Sequence, residues 1–581
     1  MDTCRCDRHG APPAGRRVSR RSTLLAAGIA AANIVTTSFA QKRASAQAAT
    51  PAATPQPSDL PDLTGVTPLP LNGERLAAFE AYIKAKVAGL GVPGAAVAVV
   101  QGGEVAFLQG FGVRELGQPA PITADTLLRI GSVTKSFSAM LVGTLVDAGR
   151  LSWETPLADL LPTFAVADPE LAPRLTMRDA FCACSGLPRR DLEFQFRAQE
   201  LTPELLIEDM ARLPLTAPFG EKFQYSNQMV AAGGFAAAVA DGGAADDLAH
   251  AYAVSLRDRV LNPIGMPRTT LSLSEVVAAN DYAIPHAPDL EGNPVPLPLL
   301  LDDEWITFVE PTGALWSSTG EMARYIQTEL DRGVAPDGGR VVSAENLEKT
   351  WEPGVARGFG SETPAFLNAA TSHYALGWEA GTYGGQRLVS HTGSTYGFNS
   401  RVCFLPDSNL GLVVLTNRNG TGGLLALATQ FRLFELLFVR PETIDAMLEG
   451  AIAGEASGRA SLLSHLGQVD PEAVNPFLGR YTNPDLGEMV LVLRAGALVF
   501  DAGGARSALR PRLDDAGAVA NYVFIDPPWG TNPPAMHVTF EAGGGGMPRV
   551  VLTAHADPGE ADLVYWYEPV DAMATPTAAS D

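Results

Sequence analysis

Strand-like patterns in this chain fall into two sets separated by a long helical stretch, and this division constrains the fold most. The first set, at 94–110, is a β-hairpin pattern with a Gly-Gly turn. Helical patterns with few strand signals occupy about 151–330. Strand patterns return at 374–416, and a helical pattern at 425–438 follows them. This order predicts an α+β fold, in which an antiparallel sheet flanked by helices is interrupted in sequence by a helical insert.

The sequence pattern changes near residue 476. Six short strand-like segments are separated by turn signals, and they lie at 489–493, 498–501, 522–526, 537–541, 550–554 and 562–567. We interpret them as a small all-β domain at 473–570, built as an antiparallel barrel. The sequence then predicts a first domain at 72–440, a connector at 441–472 and a flexible tail at 571–581.

The N-terminal 46 residues carry the features of a targeting segment. Six arginines lie between Arg5 and Arg21, and Ser19-Arg20-Arg21-Ser22-Thr23-Leu24-Leu25 resembles a twin-arginine export signal. The apolar run from Leu24 to Val35 is too short to span a bilayer. We therefore expect a signal peptide at 1–46 that is cleaved near Gln47, and an Ala/Pro/Thr-rich linker at 47–71. These features predict a bacterial periplasmic or secreted protein without stable membrane insertion after cleavage.

The charge balance limits the partners of the mature chain. The net charge is −22, and removal of residues 1–46, with eight basic and two acidic residues, leaves 34 basic and 62 acidic residues, a net charge of −28. This excess argues against nucleic acid or an anionic membrane surface as a partner. It does not identify the substrate, which we expect to be a small molecule or a peptide. The histidines show no metal-ligand spacing, so we expect no metal and no cofactor. The oligomeric state stays open.

Three cysteines remain in the predicted mature chain, Cys182, Cys184 and Cys403. An odd number leaves at least one thiol unpaired. We interpret them as buried structural thiols, and their pairing stays open.

Ser132-Val133-Thr134-Lys135 is the only Ser-x-x-Lys sequence in the chain. An apolar helical pattern follows it, so we expect Ser132 to open a buried helix and Lys135 to lie one turn later on the same face. A serine hydroxyl needs a base to take its proton, and an amine whose pKa is lowered by burial can serve. The alternative is a serine N-cap beside a surface lysine.

Two further motifs supply groups that complete such a site. Tyr225-Ser226-Asn227 precedes an apolar helical pattern. A phenol near Lys135 would lose its proton more readily than a free one and could carry protons to a leaving group, while Asn227 offers an amide for a substrate amide. The run at 388–394 is a strand pattern with polar side chains along one edge, where Gly393 lets a substrate backbone approach closely.

Taken together, Ser132 and Lys135, then Tyr225 and Asn227, then His391-Thr392-Gly393 resemble the ordered signature of the penicillin-recognising serine hydrolases. That family includes class C β-lactamases, serine D,D-peptidases, D-aminopeptidases and related esterases. The resemblance covers about 72–440 and implies a β-lactamase/transpeptidase-like fold.

The resemblance also implies roles for individual residues. Ser132 would attack a carbonyl and become acylated, while Lys135 and Tyr225 share the acid–base work. The backbone amides of Ser132 and Ser394 would form an oxyanion hole, and His391 would supply positive potential or a donor. The residues implied in substrate binding are Asn227, His391, Thr392, Gly393 and Ser394.

The substrate is less constrained than the nucleophile. His391 stands where β-lactamases usually carry a lysine, and the histidine version is commoner in the D-peptidase and esterase branches. We therefore expect an exported serine hydrolase that cleaves amide bonds of D-amino-acid-containing peptides or related amides through an acyl-enzyme on Ser132. A carboxylesterase or a β-lactamase with the same machinery is the alternative. A non-catalytic penicillin-binding or sensor protein is a further alternative. The sequence weighs against it, because every catalytic position of the signature is filled.

Overall fold

The computed structural model describes residues 61–358, 365–531, 534–543, 547–555 and 562–570 of the chain. The predicted signal peptide, residues 47–60 of the predicted linker and the predicted tail at 571–581 lie outside the described residues.

Helices of very different length alternate with the strands. In chain order the α-helices are α1 (Gly73–Gly89), α2 (Thr134–Asp147), α3 (Leu157–Leu160), α4 (Met177–Phe181), α5 (Asp191–Phe196), α6 (Pro203–Asp209), α7 (Asn227–Ala240), α8 (Leu248–Leu256), α9 (Asn262–Ile264), α10 (Leu273–Ala279), α11 (Leu299–Glu304), α12 (Glu310–Gly313), α13 (Thr319–Leu330), α14 (Ala344–Lys349), α15 (Ala365–Ala370), α16 (Thr421–Leu437), α17 (Ile444–Ser464) and α18 (Pro471–Val474).

The strands separate into those before and those after residue 470. The first group is β1 (Gly94–Gln101), β2 (Glu104–Gly112), β3 (Leu128–Arg129), β4 (His286–Pro288), β5 (Pro294–Pro296), β6 (Trp316–Ser317), β7 (Val355–Ala356), β8 (His373–Tyr374), β9 (Glu379–Tyr383), β10 (Gln386–Thr395), β11 (Phe398–Leu405) and β12 (Leu410–Thr416). The second group is β13 (Gly479–Asn483), β14 (Gly487–Arg494), β15 (Ala497–Ala502), β16 (Ala505–Leu513), β17 (Val519–Phe524), β18 (Met536–Ala542), β19 (Pro548–Ala554) and β20 (Leu563–Pro569).

An antiparallel sheet joins the two ends of the first domain. Its strand order is β2-β1-β12-β11-β10-β9-β8-β7. The early strand β1 pairs along its length with the late strand β12, with Ala95 opposite Thr416 and Gln101 opposite Leu410. The helical insert therefore leaves the sheet after the first hairpin and returns to it on the far side. The predicted α+β fold, with its sheet split by a helical region, is confirmed.

The strand β1 shows why this sheet needs helices on both faces. Successive side chains of a strand point to opposite faces. Ala96, Ala98 and Val100 join the core that contains α2, whereas Ala95, Val97 and Val99 join the core that contains α1 and α16. Because both faces are covered, the strand is almost continuously apolar.

The helix α2 is buried along most of its length. Every residue from Thr134 to Leu145 is buried. A helix that is buried on all sides must be largely apolar around its circumference, and this one is, apart from Lys135 and a few hydroxyl residues that bond to backbone oxygens. The start of α2 is thereby held rigidly between the sheet and the helical insert.

The second group of strands closes into a barrel in the order β13 to β20. Closure is made by β13 and β20, with Tyr481 opposite Pro569. The predicted all-β barrel is confirmed, and it has two strands, β13 and β16, that the sequence pattern did not identify. The inward positions of β16 include the small residues Ala505 and Ser507 and the outward ones carry arginines, so apolar alternation is weak there.

Candidate functional site

Ser132 lies in a single 3₁₀ turn, Gly131–Val133, that runs directly into α2. The turn depends on Gly131, whose φ is +54°. A Cβ at this position would lie 2.6 Å from the backbone nitrogen of Ser394. Glycine is therefore required both by the left-handed backbone and by the close approach of β10. The side chain of Ser132 stays half-buried at this junction.

Lys135 lies in the first turn of α2 and is completely buried. Its Nζ donates to the Ser132 Oγ at 3.1 Å and to the backbone oxygen of Thr312 at 2.7 Å. Burial holds the pKa of Lys135 well below its ordinary value; Asp191 raises this pKa and Arg189 lowers it further. The alternative of a surface lysine is excluded, and an amine whose pKa is lowered by burial lies next to the serine hydroxyl.

Tyr225 and Asn227 are placed by the start of α7. Ser226 is the N-cap, and its hydroxyl accepts the backbone N–H of Met229. Lys135 Nζ lies 4.9 Å from the centre of the Tyr225 ring, and the phenol is hydrogen-bonded to Ser132. The expectation of a lowered phenol pKa is wrong: burial raises the pKa of Tyr225, and the Ser132 hydrogen bond and Arg189 offset only part of this rise. Tyr225 is a neutral phenol.

The polar run of the third motif lies on β10, beside the serine turn. Thr392 and Ser394 are half-buried, and Gly393 is buried. A Cβ on Gly393 would clash with the backbone oxygen of Ile130, so glycine lets the strand pack against the turn that carries Ser132. Asn419 donates to the Ser394 Oγ at 3.2 Å and to the Thr395 backbone oxygen at 2.7 Å, which fixes the end of the strand.

His391 is buried and neutral. Its Nδ1 donates to the backbone oxygen of Thr392 at 2.7 Å, and its Nε2 accepts from the Tyr374 hydroxyl at 2.9 Å. Burial lowers the pKa of His391 to about 4; Glu379 opposes this shift, and Lys135 adds to it. The expectation of positive potential from His391 is wrong, because the imidazole carries no charge near neutral pH.

Three residues at the site escaped the sequence analysis, namely Tyr374, Arg189 and Asp191. Tyr374 is hydrogen-bonded to both His391 and Tyr225. Arg189 and Asp191 directly follow the Ser185–Pro188 loop. The Asn227 Nδ2 donates to Asp191 at 2.8 Å, and the Arg189 Nε donates to the other oxygen of the same carboxylate at 2.6 Å. The sequence signal that could have identified Arg189 and Asp191 was an oppositely charged pair just after a glycine-containing loop.

Cys182 and Cys184 form a disulfide, which answers the pairing that the sequence left open. The interpretation of these two cysteines as structural thiols is therefore wrong. Ala183, between them, has a φ of +52°, and its backbone oxygen accepts the N–H of Gln224 at 2.7 Å. The bridge therefore braces the turn against the residue that precedes Tyr225. Cys403 is a buried free thiol whose pKa is raised by burial to about 12.

Within the described ranges, no cluster of three or more His, Cys, Asp or Glu side chains is arranged to hold a metal ion. The helices that the structure describes include none with the length and apolarity needed to cross a membrane.

Comparisons with known proteins identify the family of this chain. The family model described as Beta-lactamase matches residues 79–436. Penicillin-binding protein 4 of Amycolatopsis lactamdurans is 30% identical over 328 residues, which cover 56% of this chain and 81% of that protein. The unguisins hydrolase ungD' of Aspergillus campestris is 28% identical over 342 residues, covering 57% of this chain and 59% of that protein.

A solved structure extends the likeness to the barrel. The octameric penicillin-binding protein homologue from Pyrococcus abyssi aligns with a TM-score of 0.54 at 21% identity, covering 85% of this chain and 100% of that one. At this identity the match concerns the fold alone.

Proposed function

The chain belongs to the beta-lactamase family of serine hydrolases, and we propose that Ser132 is its nucleophile and that it hydrolyses amide bonds of D-amino-acid-containing peptides or related amides. The observation that carries the proposal is the buried Lys135 amine, whose pKa is held low and whose Nζ lies 3.1 Å from the Ser132 Oγ. An unprotonated amine at this distance would serve as the base for the serine proton.

Acylation begins with proton transfer from the Ser132 hydroxyl to the Lys135 amine. The serine Oγ forms a bond to the substrate carbonyl carbon, and the carbonyl oxygen takes the negative charge. The backbone N–H groups of Ser132 and Ser394 would stabilise that oxyanion, and the position of Gly131 against Ser394 brings the two segments together.

Tyr225 is suited to act as the acid in the next step. Because its pKa is raised, the phenol holds a proton that it can donate to the leaving nitrogen as the carbon–nitrogen bond breaks. The Lys135 ammonium then returns a proton to the phenolate, so both groups recover their starting states. Water adds to the acyl carbon, releases the acid and restores Ser132.

Support for an amide substrate comes from the relatives and from the motif. Two relatives that match over most of their own length are named a penicillin-binding protein and a beta-lactamase, and a third relative is named a hydrolase. The half-buried Thr392 and Ser394 hydroxyls on β10 are available to hold a polar group of the substrate.

Ester hydrolysis by the same machinery is the second candidate. The neutral His391, with both ring nitrogens bonded inside the protein, supplies no cation for a substrate carboxylate. This favours esters, or amides without a carboxylate beside the scissile bond, over penicillins as preferred substrates.

A substrate panel tests these proposals. We expect purified protein to hydrolyse D-alanine p-nitroanilide faster than its L enantiomer, and expect Ser132→Ala to abolish the reaction. Hydrolysis of p-nitrophenyl acetate alone would favour the esterase. Hydrolysis of the chromogenic cephalosporin nitrocefin alone would favour a β-lactamase. Undiminished turnover by Ser132→Ala would contradict the whole assignment.

We also propose export through the twin-arginine route, on the basis of the N-terminal pattern. N-terminal sequencing of protein recovered from the periplasm or medium is expected to begin near Gln47. A sequence beginning at Met1 would contradict this.

A further inference from the structure

The segment at 189–196 touches both the candidate site and the barrel. On the site side, Asp191 is 8% exposed. One carboxylate oxygen accepts from the Arg189 Nε at 2.6 Å and the other accepts from the Asn227 Nδ2 at 2.8 Å. Because a carboxylate paired with a guanidinium only accepts, it fixes which end of the Asn227 amide faces it.

Arg189, the partner of Asp191, also contacts the ring of Tyr225. The Arg189 guanidinium carbon lies 5.3 Å from the centre of the Tyr225 ring, and Lys135 Nζ lies 4.9 Å from it. The Arg189 cation at this distance is attracted to the ring face. Arg189 and Asp191 therefore hold two groups of the proposed machinery, the ring of Tyr225 and the amide of Asn227.

On the barrel side, the segment is held by polar contacts. The Tyr565 hydroxyl, from β20, donates to the Glu193 Oε1 at 2.7 Å. Arg190 pairs with the same carboxylate oxygen at 3.2 Å. Hydrogen bonds to charged groups are among the stronger ones. The Tyr565 bond joins Glu193 to the barrel, and the Arg190 pair holds the Glu193 carboxylate within the segment.

Apolar contacts add to this attachment. Leu192 and Phe196 belong to the apolar core of the barrel. The Phe196 ring lies 5.9 Å from the rings of both Phe500 and Trp529, with edge-to-face geometry. Trp529 also lies 5.4 Å from Tyr396, two residues beyond Ser394. The barrel thus contacts both segments that border the site.

We propose that the barrel is a positioning element of the active site, holding 189–196 so that Asp191 and Arg189 orient Asn227 and Tyr225. Asp191 and Arg189 are then positioning residues, and Tyr565 with Glu193 is the link from the barrel. The catalytic part of this inference rests on the proposed function, whereas the structural link does not depend on it.

Breaking the clamp at Asp191 tests the site half. Asp191→Asn keeps the size but offers one acceptor and one donor, so the side chain no longer accepts from both Arg189 and Asn227. A misplacement of about 1 Å costs on the order of a hundredfold in rate, and we expect kcat/KM to fall at least about tenfold. The matched control is Asp241→Asn. Asp241 directly follows α7, the helix that begins at Asn227, and the substitution disturbs its bonds with Arg259 and Ser255 at that far end.

Two tyrosines of β20 test the barrel half. Tyr565→Phe removes the hydroxyl that reaches Glu193. Tyr567→Phe removes a buried hydroxyl that has no hydrogen-bond partner among the described residues. We expect Tyr565→Phe alone to raise hydrogen exchange in peptides covering 189–196 and 225–230, and to lower kcat/KM about threefold or more, with the effect in kcat rather than KM.

The assays use full-length mature protein, with D-alanine p-nitroanilide and p-nitrophenyl acetate as probes. Equal exchange and equal kcat/KM in Tyr565→Phe and Tyr567→Phe would overturn the barrel's role. An Asp191→Asn variant that matches Asp241→Asn in kcat/KM would overturn the clamp. If wild-type protein turns over neither probe, the proposed function fails for these substrates, and the exchange measurements still decide whether the barrel holds the segment.

Discussion

The charge state of His391 gives the account a quantitative test. The ring is buried, its Nδ1 donates to the Thr392 oxygen and its Nε2 accepts from Tyr374. Burial is the main cause that lowers the pKa from 6.5 to about 4, with Lys135 and Arg357 adding to it and Glu379 opposing it. At about 1.4 kcal/mol per pH unit, this difference corresponds to about 3 kcal/mol.

The sign follows from proton binding. Between pH 6.5 and about 4 the unfolded chain binds a proton at this histidine and the folded chain does not. Stability from this group is therefore complete above pH 6.5 and falls as the pH drops towards 4. A variant, His391→Gln, keeps an acceptor for Tyr374 but has no proton to bind.

Selective labelling of histidine and NMR titration provide the assay. We expect one ring signal, absent from His391→Gln, to stay neutral down to about pH 5. We also expect the stability difference between wild type and this variant to shrink by about 3 kcal/mol between pH 7 and pH 4. A His391 signal that titrates between pH 6 and 7 would refute the reasoning, because an imidazolium would then be available to the substrate.

Other perturbations follow from the same contacts. Burial raises the pKa of Glu329 from 4.5 to about 8, so the stability of the wild type falls as the pH rises through that range. Between pH 5 and pH 9, the free energy of unfolding of Glu329→Gln should therefore rise relative to that of the wild type by up to about 4 kcal/mol. Equal thermal shifts of the two proteins at both pH values would count against this prediction. Gly131→Ala should lower the free energy of unfolding by about 1–2 kcal/mol, because alanine disfavours the left-handed φ at this position. It should also lower kcat about a hundredfold by displacing Ser394. Near-normal activity would contradict this prediction. Unfolded, unreduced chain beginning at Gln47 should show one titratable thiol, and reduction should lower stability by at most about 2 kcal/mol, since the bridge closes a very short loop; three thiols before reduction would disprove the bridge.

The sequence alone was informative where function depends on local spacing. Ser132 and Lys135 are three residues apart at the start of a buried apolar helix, so their contact follows from helix geometry. The split sheet was also predictable, because hairpin and strand patterns lie on either side of a long helical stretch and must pair somewhere. The barrel was recognised from its alternating strands, although β13 and β16 were too short or too polar at the inward positions to be identified.

What escaped prediction depends on tertiary neighbours. The contact of Asp191 with Asn227 joins residues 36 positions apart, and nothing in either local pattern specifies it. The raised pKa of Tyr225 and the neutral state of His391 arise from burial, which outweighs the nearby charges considered at the sequence level. Tyr374 lies on a two-residue strand whose place beside His391 is set by the sheet.

Acylation of Ser132 is the central claim, and intact-mass spectrometry measures it directly. Mature protein is incubated separately with labelled penicillin and with p-nitrophenyl acetate, quenched in acid and digested, with Ser132→Ala treated in parallel. The account predicts one acyl adduct, mapped to the peptide containing Ser132 and absent from Ser132→Ala, with at least one of the two reagents. No adduct with either reagent, or an adduct of equal yield in Ser132→Ala, would contradict it.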